Sequence, residues 1–360
     1  MTSSAAGRPS HVLFVGAGAV GCFYASRLHH PSHNVYTFLT ARSNYSVIES
    51  SGVALQTHTF GDYTFKPHAV FPSVQAAVPN SESASKAPRG GWDFIIVTTK
   101  ALPDLSDDSE LIAPVVSPNT CIVLIQNGVG VEEPYRKRFP RNPIVSAVTI
   151  VSAEQIKQGT IRQNRWTRIS LGPYGNGLDG QAGSSSESKQ LVDQGHARMV
   201  QLAKWWTELG GIKDVEPHTE IELQTIRWHK LCINAAFNPT AVVSGGRGNA
   251  DQLKDPELRR HILGVMNEIR DAAPKVLGKP FSDDLATPEK IIRSTERNTG
   301  AKPSMLLDWE AGRPMELEVI LGNPVRIARQ AGVEMPRLQS LYALLKSMQQ
   351  VRDAAKKAKL

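Results

Sequence analysis

Cysteine is scarce in this 360-residue chain, which contains only Cys22, Cys121 and Cys232. The three lie far apart and inside apolar runs, so the sequence has neither the spacing of a zinc site nor the even count of a disulfide framework. We therefore expect no metal site. We also expect the thiols to be small buried side chains in a reducing compartment.

Long apolar runs are absent as well. No stretch approaches the ~20 consecutive apolar residues that a membrane-spanning helix needs. The opening residues MTSSAAGRPS lack the apolar core of a signal peptide. The sequence therefore predicts a cytoplasmic protein with no membrane partner.

A concentrated basic surface is also missing, although the formal net charge is +7. Lysine and arginine are scattered along the chain, apart from residues 136–138 and the C-terminal tail. We therefore expect no nucleic-acid partner. A diffuse positive charge also suits anionic substrates and cofactors.

Apolar strands alternate with helical patterns in the first half of the chain. We predict short strands across 53–71 and buried strands at 11–15, 34–39, 93–100, 120–128 and 143–151. This alternation predicts an α/β domain of the Rossmann type over residues 1–188, with a parallel, doubly wound sheet. Residues 189–360 are helical in period and predict an all-α domain. Two Gly-, Ser- and Pro-rich stretches, 79–91 and 172–188, are predicted to be solvated loops.

The turn after the first predicted strand is a complete G-x-G-x-x-G motif, with the sequence Gly16-Ala17-Gly18-Ala19-Val20-Gly21. In such a turn the first glycine makes the bend, the second lets the backbone approach a pyrophosphate, and the third lets the helix pack close to the strand. The helix that follows favours phosphate at its N-terminus. We predict that all six residues bind a dinucleotide; a purely structural turn is the alternative.

The end of the second predicted strand lacks an acidic residue. NAD sites usually have Asp or Glu there, on the ribose 2′-hydroxyl, whereas FLTARSN (38–44) has Arg42. A guanidinium binds a 2′-phosphate through paired hydrogen bonds. The sequence therefore favours NADPH/NADP+ over NAD, with Arg42 as an incidental surface residue the alternative.

Lys230, Asn234 and Asn238 recur every four residues in RWHKLCINAAFNPTAVV (227–243). They predict a polar stripe on an otherwise apolar helix, which Pro239 is expected to end. Burying an unpartnered lysine and two amides costs free energy. Either internal partners or a polar ligand must therefore satisfy them.

Taken together, these motifs resemble the ketopantoate reductase (2-dehydropantoate 2-reductase) family over about residues 11–350. The resemblance also rests on VTTK (97–100), QNG (126–128), SMLLD (304–308), and the acidic residues Glu316 and Glu318. It implies a Rossmann-type domain followed by an all-α domain like the C-terminal domain of 6-phosphogluconate dehydrogenase. One departure is Asn238-Pro239-Thr240, which lacks the leucine that the family usually has between the proline and the threonine.

The activity that the resemblance implies is that of an NADP-dependent oxidoreductase. It would reduce 2-dehydropantoate to (R)-pantoate, a step toward pantothenate and coenzyme A. Lys230 would donate a proton to the keto oxygen, and Glu316 would orient Lys230 and the substrate. Two alternatives stay open: a reductase of the same fold acting on another 2-keto acid, and a non-catalytic NADPH-binding regulator. A homodimer is also left open.

The resemblance also implies which side chains bind the ligands. The implied binding residues are Lys100 and Asn127 for the cofactor, and Asn127, Lys230, Asn234, Asn238 and Ser304 for the substrate. Asn234 and Asn238 would hold the distal hydroxyl of the substrate, and Ser304 would hold its carboxylate.

Each of four site residues has a structural alternative. Lys100 would be a solvated strand end, and Ser304 only a helix N-cap. Glu316 would pair with Arg313 on the surface, and Asn127 would belong to a plain turn.

Overall fold

The computed structural model describes residues 8–79, 86–175 and 186–358, apart from the side chains of 186–188. Of the predicted loops, residues 80–85 and 176–185 lie outside these ranges. The described part of 79–91 contains no helix or strand, as predicted. The described ends of 172–188 are not loop, because 172–174 belong to the strand Thr160–Tyr174 and 186–188 to the helix Ser186–Lys204. The chain forms two compact units. The first comprises the described residues of Met1–Thr99, Asp107–Gln126 and Glu132–Leu223, and the second those of Lys100–Ser106, Asn127–Val131 and Gln224–Leu360.

One sheet runs through the described part of the first unit. Its strands are β1 (Ser10–Val15), β2 (Val35–Thr40), β3 (Val53–Thr57), β4 (Gly61–Phe65), β5 (Ala69–Phe71), β6 (Phe94–Val97), β7 (Cys121–Ile125), β8 (Ile144–Lys157), β9 (Thr160–Tyr174) and β10 (Val215–Pro217). Their order is β4-β3-β9-β8-β7-β6-β1-β2-β5, with β10 beside β9. All neighbours from β8 to β5 in this order are parallel. The β3–β4 and β8–β9 pairs are antiparallel.

Helices cover both faces of this sheet, because its central strands are short apolar runs that must be buried on both sides. The helices of this region are α1 (Ala19–Ser26), α2 (Tyr45–Ser51), α3 (Asp108–Ile112), α4 (Glu133–Arg138) and α5 (Ser186–Lys204). Side chains of α1 and α5 join one core cluster, and those of α3 and α4 the other. The predicted doubly wound sheet is therefore confirmed, with antiparallel pairs added at one side.

The division into units differs from the predicted boundary between residues 188 and 189. The first unit continues to Leu223 because α5 packs on β8 and β9, which keeps this helix with the sheet. The second unit takes in two short segments from the N-terminal half of the chain, Lys100–Ser106 and Asn127–Val131.

The last third of the chain is helical, as predicted. Its helices are α6 (Glu220–Val243), α7 (Asn249–Gln252), α8 (Pro256–Leu277), α9 (Pro288–Glu296), α10 (Ser304–Glu310), α11 (Asn323–Gln330) and α12 (Pro336–Lys357), with a π-helical turn at Glu318–Gly322. The expectation that Pro239 ends α6 is wrong, because the helix continues to Val243. Proline removes one backbone hydrogen bond, but Thr240 and Ala241 beyond it are fully buried, and that packing carries the helix to Val243.

The described helices lie within residues 8–79, 86–175 and 186–358. No helix there combines the length and the apolar composition needed to cross a bilayer.

The three cysteines are free and buried. Burial raises the pKa of each thiol to about 12, so the reactive thiolate is scarce near neutral pH. We expect Ellman's reagent to react with none of them rapidly in the native protein, and with all three after denaturation. Rapid colour development with the folded protein would contradict this burial.

Candidate functional site

The glycine turn lies between β1 and α1. Gly16 has a φ of +114°, where L side chains are strained. A Cβ at Gly21 would lie 2.1 Å from the Gly16 carbonyl oxygen and 2.5 Å from Thr98 Oγ1. At Gly18, by contrast, a Cβ would have nothing within 4 Å. The first and third glycines are therefore required by the fold, and the second leaves open space beside the backbone.

The N-terminus of α1 is suited to an anion. Gly18 is its N-cap, and no side chain caps the helix. The first N–H groups of a helix have no acceptor within it, and the helix dipole adds partial positive charge there. Open space at Gly18 and uncapped N–H groups together fit the pyrophosphate of a dinucleotide.

Arg42 is exposed and lies two residues beyond the end of β2. Asn44, which the sequence analysis missed, connects the same segment to the glycine turn. Its Nδ2 donates to the Ala17 carbonyl at 2.9 Å, and its Oδ1 accepts from Gln155 Nε2 at 3.3 Å. Arg42 therefore belongs to a segment that is hydrogen-bonded to the turn.

Three of the predicted site residues meet within the second unit. Lys230 Nζ donates to Asn127 Oδ1 at 2.8 Å, and Asn127 Nδ2 donates to Glu316 Oε2 at 3.2 Å. Glu316 Oε1 accepts from the Ala101 backbone N–H at 3.3 Å. Asn127 thus links the ammonium to the carboxylate, and Glu316 reaches Lys230 through this amide.

Burial shifts the pKa of both charged groups. Desolvation and then the like charge of Arg227 lower the pKa of Lys230 to about 8, against the attraction of Glu316. Desolvation raises the pKa of Glu316, although the hydrogen bond from Asn127 and the charge of Lys100 oppose it. An ammonium with such a pKa releases its proton more readily near neutral pH than an ordinary lysine does.

Lys100 forms an ion pair with the buried carboxylate of Asp308. Asp308 Oδ1 also accepts from Arg313 Nε at 3.1 Å. Arg313 therefore pairs with Asp308, and Glu316 is buried, so the alternative of a surface pair between Glu316 and Arg313 is wrong. Asp308 lies in the SMLLD motif, but the sequence alone assigns its side chain no role.

Asn234 and Asn238 lie on α6 at the spacing that places them on one face with Lys230. Asn238 is buried and Asn234 partly buried. Within the described residues, neither side chain has a hydrogen-bond partner. These two amides are thus the unsatisfied part of the predicted polar stripe.

Ser304 is exposed and is the first residue of α10. The N-cap position belongs to Pro303, so the alternative role of Ser304 as N-cap is wrong. In the described part of the chain, Ser304 forms no hydrogen bond with Lys230, Asn127 or Glu316.

Arg227 is a further residue that the sequence analysis missed. It is 2% exposed, and its Nη1 donates to the Gly128 carbonyl at 2.9 Å. The available signal was its position three residues before Lys230, which puts both side chains on neighbouring positions of one helix.

Glu318, the second acidic residue of the motif, belongs to a different network. It accepts from Arg326 at 2.7 Å and from Lys346 at 3.2 Å, and it also accepts from the Tyr342 hydroxyl. Burial alone would raise the pKa of Glu318, but these hydrogen bonds outweigh it and lower the pKa. Among the described side chains, no group of three or more His, Cys, Asp or Glu could hold a metal ion.

Comparison with known proteins gives two matching family models. The model described as ketopantoate reductase PanE/ApbA matches residues 12–176, and its C-terminal counterpart matches residues 222–349. An uncharacterized protein of Saccharomyces cerevisiae is 29% identical, over 93% of this chain and 92% of its own length. A 2-dehydropantoate 2-reductase of Nostoc sp. is 26% identical, over 92% of this chain and 93% of its own. The crystal structure of 2-dehydropantoate 2-reductase from Methylococcus capsulatus is 33% identical, with a TM-score of 0.75, over 95% of this chain and 97% of that one.

Proposed function

Because the chain belongs to the ketopantoate reductase family, and is therefore an NADP-dependent oxidoreductase, we propose that it reduces 2-dehydropantoate to (R)-pantoate with NADPH. The hydrogen-bonded chain Lys230–Asn127–Glu316 is the main support for this proposal. It presents an ammonium whose pKa is lowered to about 8, which favours proton donation to the alkoxide that develops from the ketone.

Lys230 acts on the keto oxygen of the substrate. Bound NADPH supplies the hydride that adds to the neighbouring carbon. As negative charge develops on the oxygen, the Lys230 ammonium stabilises it and donates a proton to it. Asn127 occupies one of the N–H groups of the ammonium, which leaves the others for the substrate.

Glu316 fixes the orientation of the Asn127 amide. Its carboxylate accepts from Asn127 Nδ2, so the amide oxygen is the atom left to accept from Lys230. An ionised carboxylate accepts hydrogen bonds and does not donate them, so it favours this orientation of the amide over the flipped one. Glu316 therefore positions Lys230 through Asn127.

The remaining polar residues of this unit suit the other groups of the substrate. Asn234 and Asn238 lie one helical turn apart, and a substrate hydroxyl would satisfy their unpartnered amides. The exposed hydroxyl of Ser304 suits the carboxylate. Lys100 lies beside the cofactor in this proposal, with its ammonium directed by Asp308.

The open backbone at Gly18 and the uncapped N-terminus of α1 would hold the pyrophosphate. Arg42 would bind the 2′-phosphate that distinguishes NADPH from NADH. We expect Arg42→Ala to weaken NADPH binding about tenfold, by loss of a charged hydrogen bond, and to leave NADH binding nearly unchanged. Fluorescence titration of both cofactors measures this, with the exposed Arg89→Ala as the control. Equal losses for the two cofactors would contradict 2′-phosphate recognition.

The identity of the substrate is tested by NADPH oxidation with a panel of 2-keto acids. The sharpest comparison is 2-dehydropantoate against 3,3-dimethyl-2-oxobutanoate, which lacks only the terminal hydroxyl. A site that hydrogen-bonds the hydroxyl rejects the analogue strongly, so we expect a much lower kcat/KM for it. Preference for another keto acid would favour the related reductase that the shortened Asn238-Pro239-Thr240 run leaves open. NADPH binding without turnover would favour a regulator.

The proposal also includes a cytoplasmic location without nucleic-acid or membrane partners. Salt-dependent retention on heparin would contradict the expected absence of a nucleic-acid partner. Sedimentation velocity tests whether the protein is a homodimer.

A further inference from the structure

The loop Asn127–Val131 carries the amide that joins Lys230 to Glu316, and the π-helical turn at Glu318–Gly322 holds this loop closely. Gly128 has a φ of +85°, and a Cβ there would lie 2.3 Å from the Val319 carbonyl oxygen. The Val129 N–H donates to that same carbonyl at 2.9 Å. Asn323 Nδ2 donates to the Val129 carbonyl at 2.9 Å. The loop backbone is therefore fixed against Val319 and Asn323.

Arg227 holds the same loop from α6. Its Nη1 donates to the Gly128 carbonyl at 2.9 Å, directly after Asn127 in the chain. Lys230 follows Arg227 by three residues on this helix, so the two side chains are neighbours. One buried guanidinium thus connects the helix that carries the ammonium to the loop that carries its hydrogen-bond acceptor.

Arg227 also brings a permanent positive charge close to Lys230. Arginine stays protonated throughout the working pH range. Among the described residues, the charged groups that act on Lys230 are Arg227 on its own helix and Glu316 before the π-helical turn. Lys100 and Asp308 act on Glu316 in turn. A neighbouring cation favours the neutral amine of a lysine, whereas a neighbouring carboxylate favours the ammonium.

We propose that Arg227 is a positioning residue for this reductase: through Gly128 it holds the Asn127 loop against α6, and it places a positive charge beside the Lys230 ammonium. The inference rests on the proposed function, because it assigns Lys230 the proton transfer. The guanidinium does not touch the reacting atoms in this assignment.

The pH profile of kcat tests the proposal. In the wild type we expect the rate of reduction to fall as pH rises through about 8, where Lys230 loses its proton. Arg227→Gln keeps a donor for Gly128 but removes the charge, and it should move this alkaline limb upward by about one pH unit. Arg227→Lys keeps the charge and should leave the limb in place. Arg352→Gln removes another guanidinium of the second unit, which stacks on Trp309, and should also leave the limb unchanged.

A second readout does not depend on turnover. Acylation of Lys230 by a lysine reagent, followed by peptide mass spectrometry across a pH series, reports its titration in the protein alone. We expect a lower midpoint for Lys230 than for the lysine of a short reference peptide, and a rise toward that reference in Arg227→Gln. Coincident Lys230 midpoints in the wild type and a folded Arg227→Gln would overturn the proposal. Equal midpoints for Lys230 in the wild type and the reference peptide would overturn it even if the variant did not fold. An inactive wild type with the expected labelling would contradict the proposed function alone.

Discussion

Replacing Lys230 with alanine should lower kcat for keto-acid reduction by about 10²- to 10⁴-fold, the usual contribution of a positioned acid. The variant loses both the proton donor and the positive charge that stabilises the developing alkoxide. NADPH should still bind with nearly unchanged Kd, because Lys230 is not among the residues proposed to hold the cofactor. Steady-state kinetics and a fluorescence titration of NADPH together measure the two effects.

Two further measurements sharpen the result for Lys230. Lys290→Ala removes an exposed lysine from α9 of the same unit and should leave kcat unchanged. The wild type should lose activity as pH rises through about 8, because its ammonium form is the active one. The Lys230→Ala variant should lack this decline in its residual rate. Turnover near the wild-type level would remove Lys230 from the mechanism.

Replacing Glu316 with alanine should lower kcat about 10- to 100-fold and raise KM for the keto acid. The reason is the loss of a hydrogen bond to a charged acceptor, worth about 1.5–3 kcal/mol. Without the carboxylate, the Asn127 amide can rotate and turn its NH₂ group toward Lys230, so the ammonium loses its acceptor. The separate changes in kcat and KM show whether Glu316 acts in the transition state as well as in substrate binding.

Glu318→Ala is the matched control for Glu316→Ala. Both carboxylates are buried and they are two residues apart, but Glu318 is hydrogen-bonded to Arg326 and Lys346. Its replacement should lower the melting temperature and leave the pH profile of kcat in place. A silent Glu316→Ala, or equal kinetic effects of the two changes, would contradict the special role of Glu316.

Most of the fold could be predicted from local patterns. The short apolar runs of β1, β6 and β7 indicate strands buried on both faces, and the helical periods of the last third agree with α6–α12. β9 was missed because TIRQNRWTRISLGPY contains many polar residues, and its pairing with β8 depends on a distant partner. Pro239 was misjudged for a similar reason, since the packing of the residues after it overrides the local cost of proline.

The candidate site was predictable where a helix sets the spacing. Lys230, Asn234 and Asn238 share a face because α6 has its ordinary period. The link from Lys230 to Glu316 through Asn127 could not be derived from spacing, since it joins segments far apart in the chain. Arg227 was overlooked because an arginine among apolar neighbours gives no local sign that its guanidinium is buried against Gly128.

The inclusion of Lys100–Ser106 and Asn127–Val131 in the second unit limits how this protein can be recombined. A chimaera made with a relative by joining the chains near residue 188 would combine one parent's Asn127 with the other parent's lysine and glutamate. Any mismatch between the parents would then disturb the hydrogen bonds of the Asn127 amide with the lysine and the glutamate. Grafting a new keto-acid preference onto this scaffold therefore calls for three transplanted pieces, two of them only a few residues long.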